Sequence, residues 1–333
     1  MATAAPTRPT TERALPPVPR VGALDRLRAI ALLLLLVHHL TDWFAGEART
    51  RLPGWPGFAV TDLAAPAFAL AAGASAVLFC EAQRRAGASA SAITVDVVRR
   101  YGLLVVYGVL IHWALWRDPF GWGVLETLGV AVVVSTLLAR VLPTGWLVVA
   151  AALVLASGSA VATEASGWDG FGGDVLGGGF PLVTYVGFAL AGAVGGRLLL
   201  RDPARGAEAL LLGGVLTLVV AVGRHPGTVG QLAVPGIAGT LLLYGWLGAV
   251  RLRPRAVDTL VRRAGRHTLG VFLGHYAIYA AVRWSGNLGA LPPAAGVTAA
   301  VGAAVAMVWL APRVPTLPWS PRTGRATRPS SPG

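Results

Sequence analysis

The sequence predicts an all-α fold: a polytopic membrane helix bundle of about ten transmembrane helices, with the N-terminus cytoplasmic. Three observations predict it. Apolar residues make up 55% of the 333 residues and charged residues 13%, about half of the ~25% charged share of a soluble chain. The mean hydropathy is +0.64. The apolar residues also come in long unbroken runs rather than in alternation, which excludes an outer-membrane barrel. A secreted disulfide scaffold is excluded as well, because the single cysteine, Cys80, cannot bridge within its chain. Cys80 reads as packing at the end of its span. The net charge of +13 comes entirely from arginine, with no lysine in the chain. That usage fits a GC-rich coding bias, so no nucleic-acid partner is inferred from it.

Each span needs about 20 largely apolar residues. Ten segments qualify, at roughly 23–42, 59–80, 97–116, 121–141, 145–163, 180–199, 208–223, 232–250, 267–284 and 294–312. The segment at 208–223 is the weakest, being short and opening on Glu208. The first segment is too long for a cleaved signal, and no small-residue cleavage site follows it. The distribution of arginine sets the orientation, because cytoplasmic loops collect basic residues. With the N-terminus inside, 23 arginines fall on the cytoplasmic side and five outside. The outer loops carry Asp42, Glu47, Asp118, Glu164, Asp169 and Asp174 instead. Both termini are therefore expected in the cytoplasm of a multi-pass cell-membrane protein. The domain reading is a disordered tail at 1–20, a membrane domain at 21–312 and a disordered basic tail at 313–333, both tails rich in Pro, Thr, Ser and Arg.

Ionisable side chains inside apolar spans are costly and mark functional candidates. They are Arg28, His38, His39, Asp62, His112, Glu126 and His275. His39 stands eleven positions after Arg28, nearly three turns and about 16 Å along one helix face. Asp25 lies one turn below Arg28 and can pair with it. On the predicted topology the histidines and carboxylates from five helices gather in the outer half of the bundle, with Arg28 below them. Each residue has a plainer reading beside this one. Arg26 and Arg28 fit a positive anchor of the first helix. His112, beside Trp113 and Trp116, fits an interfacial belt, and the tryptophans in general fit interface anchors. Glu126 fits a residue facing an aqueous loop. Asp62 fits a helix N-cap. His275 fits a buried histidine bonded to a backbone carbonyl.

The same residues resemble a known group. Leu24-Asp25-Arg26-Leu27-Arg28, with His39 eleven positions beyond Arg28, resembles the first helix of the membrane acyltransferase superfamily, in particular its acyltransferase-3 branch. The stretch Trp55-Pro56-Gly57-Phe58-Ala59-Val60-Thr61-Asp62-Leu63-Ala64-Ala65-Pro66-Ala67-Phe68, followed by Gly73, resembles the branch of the heparan-α-glucosaminide N-acetyltransferases and their bacterial relatives. Gly123-Val124-Leu125-Glu126-Thr127-Leu128-Gly129 and Val271-Phe272-Leu273-Gly274-His275 are similar to two later motifs of that branch. The matches run in order from about residue 20 to 280. There are departures. The glycine usual after the arginine is Ala29, and the position of the eukaryotic loop histidine is Leu52. The branch carries Gln-Arg where this chain has Glu126-Thr127, and asparagine where it has His39.

The resemblance implies transfer of an acyl group, acetyl above all, from cytosolic acyl-CoA to a hydroxyl or amine of an extracytoplasmic sugar or envelope glycan. Such a transfer needs a base for the acceptor's proton, and a histidine held by a carboxylate suits the task. His39, with Asp62 or Glu126 as its orienting partner and with His275 nearby, is the expected catalytic set. Arg28, Arg99 and Arg100 are placed to hold the phosphates of acyl-CoA by charge-assisted contacts. No metal and no permanently bound cofactor are expected. The expected partners are the lipid bilayer, acyl-CoA, the glycan acceptor and a second copy of the chain. A transporter or permease using the buried His and carboxylate groups as a proton relay is the competing class. Against it, the chain shows no inverted repeat and no paired broken helices. A structural protein, in which the buried polar groups would be dispensable, is the third class.

Overall fold

Among the described residues, each of the ten apolar runs lies mainly within a helix. The computed structural model describes residues 18, 20–45, 54–55, 58–118, 120–222, 230–249, 255–286 and 289–313. Most of both predicted tails, and Leu52, lie outside them. The elements are α1 (Gly22–Ala45), β1 (Gly54–Trp55), β2 (Phe58–Ala59), α2 (Ala64–Arg85), α3 (Ala90–Trp116), α4 (Val124–Val141) and α5 (Thr144–Ala165). They continue with α6 (Phe171–Gly177), α7 (Leu182–Arg201), α8 (Pro203–Val222), α9 (Gly230–Ala249), α10 (Arg255–Arg266), α11 (Thr268–Trp284) and α12 (Pro293–Leu310). The two strands form only a two-residue antiparallel ladder, Gly54 opposite Ala59 and Trp55 opposite Phe58. A 3₁₀ turn, Val60–Leu63, leads from it into α2.

Six segments are long and apolar enough to cross a membrane: Gly22–Ala45, Val60–Arg85, Val124–Val141, Thr144–Ala165, Phe171–Arg201 and Pro293–Leu310. Gly236–Ala249 is a shorter apolar helix. In α3 the apolar stretch is diluted by Arg99, Arg100, two tyrosines and His112.

Two segments read as loops are partly helical. The arginine-rich stretch 251–266 contains α10, whose Val257, Leu260, Val261 and Ala264 recur at helical spacing. The 164–179 stretch contains the short α6. Helix α10 lies on α1 near its start. Arg26 Nε donates to Asp258 at 2.6 Å and its Nη1 to the Leu247 carbonyl at 2.7 Å. Arg262 reaches the same carboxylate at 3.1 Å. The hydrogen bond from Arg26 holds the Asp258 carboxyl below the usual carboxylate range.

Helix α7 packs between α2, α4 and α5, and α1 is flanked by α2, α10 and α12. The α2–α7 contact is made by small residues. A Cβ on Gly73 would run into the Ala189 carbonyl, and one on Gly192 into that of Leu70. Such close backbone approach is how helices associate where water supplies no drive. Burial in the main core runs through Leu32, Leu36, Leu40, Val97, Val132 and Phe188. The packing leaves one end of the bundle built from the end of α1, the end of α3, the start of α4 and the middle of α11. The other end carries arginines.

Candidate functional site

The polar side chains divide between these two ends. Where α1 begins, buried Asp25 accepts Arg20 Nε at 2.8 Å and Nη2 at 3.1 Å. Arg266 approaches it at 3.6 Å and Arg28 at 3.7 Å. The predicted Asp25–Arg28 pair is thus present as a long contact. Arg20 takes the short bonds, so the guanidinium donors of Arg28 are not consumed by Asp25. Arg28 is within electrostatic reach of Arg100 and Tyr101 on α3. Arg100 lies over the Phe79 ring at 5.3 Å, and Arg99 is exposed. The structure therefore groups Arg28 with Arg100, one turn or less from Arg99.

At the opposite end a cavity of about 180 Å³ opens between α1, α3, α4 and α11. His39 contributes from α1, and His112 and Trp116 from α3. Trp122 and Glu126 contribute from the turn and first turn of α4, Phe180 from the segment before α7, and Tyr276 from α11. Glu126 is 1% exposed. Its Oε1 lies 2.8 Å from His112 Nδ1, and its Oε2 accepts the Gly123 backbone N–H at 3.2 Å. The local fold explains the placement. Glu126 is in the first turn of α4, where unpaired N–H groups and the helix dipole favour a negative charge. The short turn after α3 brings the last helical turn carrying His112 against that start. Thr127 Oγ1 donates to the Phe180 carbonyl at 3.0 Å and fixes the start of α4 to the segment before α7.

The carboxylate partners differ from those expected from sequence. Glu126, read as a partner for His39, is hydrogen-bonded to His112. Asp62, read in the same role, lies 3.7 Å from His38 Nδ1, and the same nitrogen is 3.2 Å from Thr61 Oγ1. His39 makes ring contacts at 5.3 Å to His275, 5.5 Å to Trp43 and 6.5 Å to Tyr276. His275 is fully buried and stacked on Trp43 at 5.2 Å. Its Nδ1–H is spent on the Phe272 carbonyl of its own helix. Its Nε2 is buried with no hydrogen-bond partner among the described residues. So the structure brings His39, Tyr276, His112 and Glu126 around one cavity, with His275 against the His39 and Tyr276 rings but outside the lining. Asp62 is grouped with His38.

Two wall residues stood outside the expected catalytic set. His112 was a candidate that also read as a belt residue. Trp122 was grouped with the interface tryptophans, yet its indole N–H is buried without a partner among the described residues. The signal for His112 was Glu126 at a helix start only a short turn away. Trp122 had no distinguishing signal. Chemically, the cavity offers a carboxylate-held imidazole, a second imidazole, a phenol and a spare indole donor. That set suits proton transfer to or from a polar ligand.

The family model described as heparan-alpha-glucosaminide N-acetyltransferase, catalytic, matches residues 20–229. The chain belongs to that family. Membership makes this acetyltransferase-family chain a membrane acyltransferase, in keeping with its apolar helices. The matched region of the acetyltransferase family runs from the start of α1 to the residues after α8. It contains Arg28, His39, Asp62, Arg99, Arg100, His112 and Glu126, whereas His275 and Tyr276 lie beyond it. No curated protein matches the chain.

Proposed function

We propose that the chain moves an acyl group, acetyl above all, from cytosolic acyl-CoA to a hydroxyl or amine of a sugar or envelope glycan on the outer side of the cell membrane. In this reading all ten long helices span the bilayer, with both termini cytoplasmic. Arg28, Arg99 and Arg100 hold the phosphates of acyl-CoA at the inner end. The pantetheine arm extends between the helices toward the cavity, a rise of about 16 Å along α1 from Arg28 to His39. The histidines that wall the cavity, His39 and His112, face the acceptor and the thioester. Asp62, Glu126 and His275 are their supporting groups. The observation that carries the reading is the cavity itself: histidines and a buried carboxylate toward one end of α1, and Arg28, only loosely paired with Asp25, at the other, in a chain of this family.

The test is binding of acetyl-CoA to the purified protein in lipid nanodiscs, followed by release of free thiol on adding a sugar acceptor. Saturable binding and acceptor-dependent release are expected. A protein that ignores acetyl-CoA but moves protons or a sugar across liposomes would be a permease, and the proposal would be wrong.

A further inference from the structure

We infer that His112 and Glu126 are the proton-transfer pair of the cavity, His112 as the catalytic base and Glu126 as the residue that positions it. The inference rests on the acyl-transfer reading and narrows it to one histidine. The hydrogen bonds determine the tautomer. His112 Nδ1 faces two oxygens, Glu126 Oε1 at 2.8 Å and the Gly108 carbonyl at 3.1 Å. Two acceptors on one nitrogen require that this nitrogen carries the hydrogen. Turning the ring over would set carbon against both oxygens. In the neutral ring Nε2 then bears the lone pair. It belongs to a side chain 21% exposed, while its carboxylate partner is sealed at 1%.

Glycines leave room for the rest of the ring. A Cβ on Gly121 would lie 2.7 Å from the imidazole Cδ2, and one on Gly123 would lie 2.7 Å from Cε1. The ring thus sits between a carboxylate and two glycines, where any larger residue would push it away. Three other histidines are placed differently. His275 has spent its Nδ1–H on its own helix and is fully buried. His38 faces Asp62 and does not line the cavity. His39 lines it within a cluster of aromatic rings, which suits contact with the acceptor or the acyl group.

The step balances without a further reactant. The acceptor oxygen or nitrogen attacks the thioester carbonyl as His112 Nε2 takes its proton. The new C–O or C–N bond forms, and the tetrahedral centre collapses with loss of the C–S bond. The imidazolium, stabilised by Glu126, returns the proton to the departing sulfur. The products are acylated acceptor and CoA thiol, with the histidine neutral again.

The experiment uses the full chain in nanodiscs, with acetyl-CoA as donor and glucosamine as acceptor, and reads thiol release and acetyl-CoA affinity separately. His112→Ala is expected to lower kcat by ~10²–10⁴ at unchanged acetyl-CoA affinity. Added imidazole should restore part of that turnover in His112→Ala and none in His39→Ala. Glu126→Gln should cost about tenfold or more, short of the ~10⁴ of a triad carboxylate, because Gly108 still accepts the Nδ1–H. Glu126→Asp should recover part of it. If His112→Ala turns over within about twofold of wild type while His39→Ala is inactive, His39 is the base; the inference falls and acyl transfer stands. If acetyl-CoA affinity collapses together with kcat in both His112→Ala and His112→Gln, the residue is structural and the inference is wrong. If wild type binds no acetyl-CoA, the acyl-transfer reading is refuted and the inference with it.

Discussion

Gly108→Ala is the sharpest perturbation of the site, because two opposed effects meet there. Alanine is the better helix former, by about 0.8–1 kcal/mol in a helix interior. Gly108 and Gly102 both lie on α3, so both substitutions gain that benefit. At Gly102 a Cβ meets nothing within 4 Å. At Gly108 it would overlap the carboxylate of Glu126, which is 1% exposed and cannot move aside into solvent. Displacing it lengthens or breaks two bonds, from His112 and from the Gly123 N–H. Hydrogen bonds to charged groups contribute about 1.5–3 kcal/mol each. Losing about one and a half of them outweighs the propensity gain, leaving a net cost of about 1–4 kcal/mol. Gly102→Ala should instead be neutral or stabilising by up to about 1 kcal/mol. Thermal unfolding of both variants in the same detergent measures the difference, and thiol release measures the effect on the pair. Equal melting temperatures with equal turnover would refute the reasoning. Glu126 would then have room to retreat, and its bond to His112 would carry neither stability nor activity.

Three further outcomes follow from the rest of the bundle. Arg28→Ala should weaken acetyl-CoA binding about tenfold or more while the melting temperature barely moves, since Arg20 keeps Asp25 paired; unchanged affinity would make Arg28 an anchor only. Asp258, held below its ordinary range by Arg26, contributes stability that is fully present above about 3.9, its unfolded value, and is lost as pH falls through the lower folded value. The melting gap between wild type and Asp258→Asn should therefore close on acidification toward pH 3, and a gap constant from pH 7 to pH 3 would contradict it. Single cysteines introduced into a Cys80→Ala background should be labelled from the cytoplasmic side in α10 and from the outside between α5 and α7; the reverse pattern would invert the topology.

The fold was largely legible because lipid-facing helices announce themselves by length and hydropathy. Among the described residues all ten apolar segments lie mainly within helices, and the boundaries moved by up to seven residues, as at Ala90, which opens α3 ahead of 97, and Pro203, which opens α8 ahead of Glu208. The missed elements were short or polar. Helix α6 has seven residues, and α10 is rich in arginine. Helix α10 could still have been found, since Val257, Leu260, Val261 and Ala264 repeat at helical spacing. Total charge hid a periodicity that was present.

The site was legible in its members and not in its pairings. A register argument along one helix puts Arg28 and His39 on a shared face, and it rests only on 3.6 residues per turn. Which carboxylate meets which histidine depends instead on how separate helices are set against each other. His38 and His39 differ by about 100° around α1, and sequence alone did not decide which of them turns toward α2. The structure sets His38 against Asp62 and leaves His39 to the cavity. The Glu126 pairing carried more information than was used. A carboxylate in the first turn of α4 points back toward its own N-terminus, and a short turn must set that end beside the last turn of α3. Only a histidine in that last turn can be reached, and His112 sits four residues before its end, at Trp116. Local helix chemistry and connection length together select His112 over His39, and they do so before any family resemblance is considered. The glycines at 108, 121 and 123 complete the argument, because each borders the pair where a side chain would intrude.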